Sequence, residues 1–359
     1  MPRDRLLPTE APVVLIDHRG APVPHKEYKV PPDEALLAAH AALVTARRVN
    51  DQASALAKQG RLAVYPSSHG QEACQVAAVQ ALSPQDWLFP TYRDSAAVLL
   101  RGVDPVQGLS LLRGEWHCGY DPYEHRVAPQ ATPLATQLPH AVGVAYAARA
   151  RGEATVVLAI CGDGATSEGD FHEGLNLAAV LRAPVIFLVQ NNRYAISVPL
   201  ARQTAAPSLA HKAIGYGMPG TRVDGNDVAA LLAVLGAAVE RARTGGGPEL
   251  VEAHTYRVAP HTNADDPSRY RAQDEATQWH DRDPITRLTT YLTDHGVLTE
   301  ELSGAATARA EELAAAMRSG LGADVTPDLA NLFAHVYSTP TPQLIEQEEL
   351  VLDELSRVI

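Results

Sequence analysis

One stretch of the chain constrains the rest. Thr155-Val-Val-Leu-Ala-Ile160 is a short, nearly continuous apolar run, and Gly162-Asp-Gly-Ala165 follows it as a tight turn. Ser167 to Ala183 then carries Phe171, Leu175, Ala178, Ala179 and Leu181 on or near one helical face. Ala183-Pro184 stops that helix, and Val185-Ile-Phe-Leu-Val189 is a second apolar run that ends in Gln190-Asn-Asn192. Strand, helix, strand in this order is a βαβ unit, with parallel strands and a right-handed crossover. Strands this apolar are buried on both faces, so helices must cover both sides of the sheet.

The pattern repeats more loosely downstream. Asp227 reads as the N-cap of a helix over Val228–Arg243, Gly245–Pro248 breaks it, and Leu250–Tyr256 reads as another strand. The fold class is therefore α/β, a doubly wound parallel sheet, in which ligands bind beyond the carboxyl ends of the strands. The chain has 359 residues, enough for about two structural units. Three regions are expected: a proline-rich N-terminal arm over 1–32 with one short strand at Val13–Ile16, an α/β domain over 33–280, and a helical C-terminal extension over 281–359. Within these, 32–59, 305–319 and 342–355 read as helices, and the Gly-, Pro-, Tyr- and His-rich segment 113–133 reads as a functional loop.

Composition narrows the class. A net charge of −12, without a basic stripe, argues against nucleic acid as a partner. The longest apolar run, Val228 to Val239, falls short of the ~18 residues a membrane span needs, so no membrane association is expected. Three cysteines, Cys74, Cys118 and Cys161, form no disulfide framework and fit the cytoplasm. His117 and Cys118 are adjacent but lack a second ligand pair, which argues against zinc there.

The chemistry concentrates at two strand ends. Gly162-Asp163-Gly164 and Asn191-Asn192 are separated by one helix and one strand, so adjacent strands present a carboxylate and a carboxamide to one point. Both are hard oxygen ligands, suited to Mg²⁺ or Ca²⁺. Mg²⁺ keeps substrate phosphate oxygens in its shell, which makes a diphosphate the natural third party. Gly164 is expected to let the backbone approach that phosphate, with the N-terminus of the following helix aimed at it.

These residues resemble the signature of thiamine diphosphate enzymes. The fuller run, GDGATSEGDFHEGLNLAAVLRAPVIFLVQNNRYAIS, resembles the α subunit of the heterotetrameric 2-oxo acid dehydrogenase E1 components, and the likeness extends from about Lys58 to Arg287. A looser match follows at Leu332–Tyr337. The resemblance implies the thiamine diphosphate-binding fold, with thiamine diphosphate and Mg²⁺ as cofactors. It assigns the metal to the side chains of Asp163 and Asn192 and the carbonyl of Tyr194. It assigns the diphosphate to Tyr92 and Arg93 and to the turn Gly162, Gly164 and Ala165. Thr132 and Leu134 fall in the segment that lies against the aminopyrimidine, Leu134 being the wedge that bends the cofactor. His261, in Ala259-Pro-His-Thr-Asn-Ala-Asp-Asp266, matches the histidine beside the diphosphate and the reaction centre and is the catalytic candidate. Regulated members carry phosphorylatable serines in that loop, whereas here Thr262 follows the histidine and Ser268 lies near the second such position.

Two departures stand out: Gln190 precedes the Asn pair where some members have Arg or an acid, and Gly114–Tyr120 replaces a loop bearing glycine and methionine. In this cofactor class a glutamate contacts the pyrimidine, and the family places it on the β subunit. Neither Glu72 nor Glu168 reads as a substitute. The implied assembly therefore holds two α and two β subunits with the cofactor between them. The implied reaction is decarboxylation of a 2-oxo acid with acyl transfer to a lipoyl-bearing E2. Pro133–Gln137 and Tyr194–Ser197 resemble the branched-chain type more than the pyruvate type, with an acetoin-cleaving relative as a third option. An idle scaffold subunit is the alternative of another class, and the complete set Asp163, Asn192, Arg93 and His261 argues against it. A dinucleotide-binding protein would show G-x-G-x-x-G after a strand, which this chain lacks.

Overall fold

The computed structural model describes residues 6–130, 132–322 and 329–357, so the expected arm and C-terminal extension fall partly outside the described residues. The chain divides into two units, Met1–Leu321 and Gly322–Ile359. The second unit contains the helix Pro342–Ser356, capped by Thr341, whose side chain accepts from the Leu344 N–H.

The first unit is built on a five-stranded, wholly parallel sheet: β1 (Trp87–Phe89), β2 (Val157–Gly162), β3 (Val185–Asn191), β4 (Gly220–Asp224) and β5 (Glu249–His254). Their spatial order is β1-β2-β3-β5-β4. The helices that matter for the site are α1 (Asp33–Lys58), α2 (Glu72–Gln80), α3 (Gln137–Ala150), α4 (Gly169–Leu181) and α5 (Val228–Arg241). Between β1 and β3 the chain steps one way across the sheet through α3 and α4, and from β4 to β5 it steps back through α5. A reversal of direction with constant crossover hand moves the connecting helix to the opposite face.

The two cores confirm this. Val157, Ala159, Cys161, Phe187 and Val189 pack with Leu138, Val142, Phe171 and Leu175 of α3 and α4. Their strand neighbours Leu158, Ile160, Ile186, Leu188 and Val251 pack with Leu36, Val76, Leu231 and Leu235 of α1, α2 and α5. Side chains alternate between faces with period two, so both faces must be apolar. Each fully buried Leu or Phe contributes about 1.5–3 kcal/mol toward the ordering cost.

The doubly wound parallel sheet is thus as expected, with corrections in detail. β1 and β4 carry too little apolar pattern to read as strands: β1 is three residues long, and Val223 is the one fully buried hydrophobic of β4. Val13–Ile16 does not form a strand. Val13 makes a single parallel bridge to Val223, by which the arm covers the edge of β4, and Ile16 makes an antiparallel bridge to Pro22 within the arm. After Asp163 the chain makes a 3₁₀ turn, Gly164–Ser167, and α4 begins only at Gly169 because Glu168 is extended. No helix among the described residues is long and apolar enough to cross a membrane.

Asp227 is the N-cap of α5, as the sequence indicates, and it does more than cap. Oδ1 accepts from Ala229 and Ala230 N–H, while Oδ2 accepts from Leu15 and Ile16 N–H at 2.7 and 2.8 Å. Arg287, also buried, donates to the Ile16 carbonyl and to Asp224 Oδ2. Asp227→Ala removes a cap worth about 1 kcal/mol and strands two buried backbone donors at about 1–3 kcal/mol each. Denaturant unfolding of this variant should show a loss of about 3–7 kcal/mol, and Asp227→Asn, which keeps an acceptor, a smaller one.

Candidate active site

A cavity of about 410 Å³ opens at the carboxyl ends of β2 and β3. Tyr92, Arg93, Thr132, Leu134, Gly162, Asp163, Gly164, Ala165, Asn192, Tyr194 and His261 all line it. The register explains the core of this arrangement: Gly162 pairs with Gln190, so the residues that leave the two strands are level.

Asp163 is buried, and its Oδ2 accepts from Gln203 Nε2 at 2.7 Å. Burial pushes its pKa up to about 6, against the lowering effect of that hydrogen bond. Asn192 donates from Nδ2 to Gln71 Oε1 at 3.0 Å. Its other amide atom then lies 3.1 Å from Asp163 Oδ1 and 3.1 Å from the Tyr194 carbonyl. In this orientation three oxygens converge, which is what a hard cation requires. Without a cation, a half-turn of the amide converts the same contacts into two donated hydrogen bonds. The donor set fits Mg²⁺: a carboxylate, an amide and a carbonyl, with the cavity supplying the rest of the shell. The converging atoms are a carboxylate, an amide and a carbonyl with no Cys or His among them, a donor set suited to a hard cation rather than to zinc.

Beside these oxygens lies a cationic cluster. Arg93 is buried; Nη1 donates to the Ser67 carbonyl at 2.8 Å and Nη2 to His261 Nδ1 at 3.0 Å. Arg257 is buried too, with Nη2 donating to the Ile196 carbonyl (2.7 Å) and to the Tyr270 hydroxyl (2.9 Å), and Nη1 to the Tyr194 carbonyl (3.3 Å). Neither guanidinium forms an ion pair among the described residues. Two buried guanidinium groups without a direct ion pair in one cavity fit a multiply charged anion such as a diphosphate. They also act on His261. Burial first, then Arg93 and Arg257, bring its pKa down to about 4, so the imidazole is neutral at pH 7. Because Nδ1 accepts from Arg93, the ring proton sits on Nε2.

The dehydrogenase E1 component family model matches residues 41–317 of the chain. The chain belongs to this family. It is 47% identical over 347 residues to the Mycobacterium tuberculosis 3-methyl-2-oxobutanoate dehydrogenase subunit alpha, covering 96% of this chain and 95% of that protein. To the Staphylococcus aureus pyruvate dehydrogenase E1 component subunit alpha it is 37% identical over 351 residues, covering 96% and 94%.

Several features of this E1 chain escape a reading of the sequence alone. Arg257 leaves β5 three residues beyond its end and four before His261, and only its burial marks it. Gln71 and Gln190 also line the cavity, and Gln71 Nε2 and Gln190 Oε1 are buried without partners. Such orphaned atoms need a ligand group or a water. Gly164 carries a further constraint: a Cβ there would lie 2.7 Å from the Ala195 Cβ, so the protein's own packing also requires the glycine. Ala135, Arg193 and Ile196 take left-handed backbone conformations, with φ of 64°, 74° and 54°. Each costs of order 1 kcal/mol or more, and such strain gathers at functional sites. Leu134, beside Ala135, is 41% exposed at the mouth. Glu72 is structural, held by Arg47 at 2.6 Å and by the Gly70 N–H at 2.7 Å, while Glu168 is exposed before α4. Asp163 is the one carboxylate among the lining residues.

Removal of either arginine should release His261. In an Arg257→Met variant, ¹³C-labelled histidine NMR should show the His261 resonance titrating clearly above its wild-type midpoint near pH 4. Loss of a nearby cation favours the imidazolium.

Proposed function

We propose that this chain is the α subunit of a thiamine diphosphate- and Mg²⁺-dependent E1 component, cytoplasmic, that oxidatively decarboxylates branched-chain 2-oxo acids and passes the acyl group to the lipoyl group of an E2. The observation that carries the reading is the convergence of Asp163, Asn192 and the Tyr194 carbonyl beside Arg93 and Arg257 in one cavity. The lining residues run from Val64 to Thr262, which supports a cofactor-binding domain within 33–280.

Asp163, Asn192 and the Tyr194 carbonyl would hold Mg²⁺, and Arg93, Arg257, Tyr92 and the turn Gly162–Ala165 the diphosphate. Thiamine diphosphate, when bound, supplies the electron sink for cleavage beside a 2-oxo group. Thr132 and Leu134 would support its pyrimidine end. His261, neutral and protonated on Nε2, would donate a proton at the reacting end. The single lining carboxylate is committed to the metal, so the glutamate for the pyrimidine must come from a β subunit. Three free cysteines accord with a reducing compartment. The stronger likeness to the branched-chain relative favours that substrate class, as do Val64, Leu112 and Ile196 along the cavity wall. Pyruvate and acetoin are the competing substrates.

Co-expressed with its β partner, the chain should reduce an artificial electron acceptor with 3-methyl-2-oxobutanoate in preference to pyruvate. Asp163→Ala should abolish this activity. Preference for pyruvate would move the substrate assignment, and failure to bind thiamine diphosphate would overturn the reading.

The pH dependence has a definite sign. A carboxyl whose folded pKa is raised from 3.8 to about 6 is ionised only above that value. The cation binds the ionised form, so its apparent affinity should be full above pH 6 and fall by up to about tenfold per unit below it. Without a cation, the same shift makes stability decrease as pH rises from about 4 to about 6. Mg²⁺ titrations monitored by thermal unfolding at pH 5, 6 and 7 check both.

A further inference from the structure

Resting on the reading above, we propose that Glu252 is a positioning residue for the cation site, acting at both ends of the excursion that carries the ligands. Glu252 lies in the middle of β5, wholly buried between Val251 and Ala253. Its Oε1 accepts from Asn191 Nδ2 at 2.7 Å, and its Oε2 from the Ala210 N–H at 2.9 Å. His254 Nε2 lies 3.4 Å from Oε1. Asn191 is the last residue of β3 and Ala210 lies in the 3₁₀ turn Leu209–His211, so one carboxylate closes the excursion between them at both ends.

That excursion bears three groups of the site. Asn192 and Tyr194 supply the amide and carbonyl oxygens. Gln203 returns to Asp163 Oδ2 at 2.7 Å and so turns Oδ1 toward Asn192. The excursion's start is tied to β5 by two further bonds, Thr255 N–H to the Asn191 carbonyl (3.0 Å) and Arg257 N–H to the Asn192 carbonyl (3.3 Å). These fix the backbone but not the Asn191 side chain or the far end. A residue that accepts with both oxygens and donates nothing is required. Glutamine would keep one bond and turn an N–H₂ toward another donor. Partners that orient metal ligands typically carry about 10- to 100-fold in metal affinity.

The test is a Mn²⁺ titration of the chain assembled with its β partner, in the presence of thiamine diphosphate, with free Mn²⁺ read by electron paramagnetic resonance. Glu252→Gln should weaken Mn²⁺ by about tenfold or more. Glu252→Ala should weaken it further, and kcat should recover toward wild type at saturating Mn²⁺ and cofactor while the cation requirement rises. The control is Glu249→Gln, a buried acid at the amino end of the same strand, bound to Thr221 Oγ1 (2.7 Å) and Arg241 Nε (3.0 Å). It should lower thermal stability and leave the Mn²⁺ affinity unchanged. Wild-type Mn²⁺ affinity in Glu252→Gln overturns the inference, as does an equal loss in Glu249→Gln. If Glu252→Ala does not fold, the near-isosteric Gln variant decides. Asp163→Ala separates the two levels: should it also keep wild-type Mn²⁺ affinity, the cation site itself is misassigned.

Discussion

The parallel pairing of β2 with β3 sets Gly162 opposite Gln190, and the chemistry of the cavity depends on that register. Shifting it by one residue would turn every side chain of one strand to the other face and bury the wrong set. Because Val157, Ala159 and Cys161 must face α3 and α4 while Leu158 and Ile160 face α2 and α5, the apolar packing chooses a single alignment. The site inherits its geometry from that choice: the carboxylate leaving β2 and the carboxamide leaving β3 are brought level by the core, not by their mutual attraction.

The cavity is electrostatically unfinished. Two guanidinium groups lie buried without a direct ion pair among the described residues, Arg257 reaching Asp265 through the Tyr270 hydroxyl, and a buried carboxyl has its pKa raised to about 6. Uncompensated buried charge is costly, and the cost persists only where something repays it. Separate anionic and cationic ligands would each satisfy half of the imbalance. A diphosphate with its divalent cation satisfies both, and would stabilise the folded chain by mass action. The neutrality of His261 follows from the same imbalance, since the imidazolium would be a third cation in one cavity. Filling the cavity with a polyanion would raise the histidine pKa and prepare it for proton transfer only in the loaded state.

What was legible in the sequence was what repeats or is contiguous. The apolar runs of β2 and β3, the turn between them and the cap at Asp227 declare themselves because each is a local pattern with a local physical cause. The resemblance extended this to Tyr92, Arg93, Thr132, Leu134, Tyr194 and His261, all of which line the cavity. The edge strands did not show, because three residues in β1 and one fully buried hydrophobic in β4 carry no period. Arg257 and Glu252 did not show because their burial is a tertiary fact. A charged residue at a strand's exit reads as solvent-exposed until the sheet, the Tyr270 hydroxyl and the Ile196 carbonyl close around it. The packing constraint on Gly164 did not show for a similar reason, since Ala195, which leaves no room for a side chain there, is some thirty residues away in sequence.

The mouth of the cavity completes the argument for a partner. Val64, Leu134 and Ile196 are 36%, 41% and 55% exposed, an apolar rim around a polar floor. Leu134 and Ile196 stand beside or in left-handed backbone, so their exposure is held by strained, specific conformations. A cofactor seated on the floor would cover part of this rim and leave the remainder facing outward. The one lining carboxylate is turned inward to Asn192 and Gln203, so the described lining offers no acid to the outer half of the cavity. A subunit that closes over the rim would bury the exposed apolar side chains and bring the missing carboxylate to the same place. Both deficits, one of burial and one of chemistry, therefore lie on the same side of the cavity, and one β subunit would make good both.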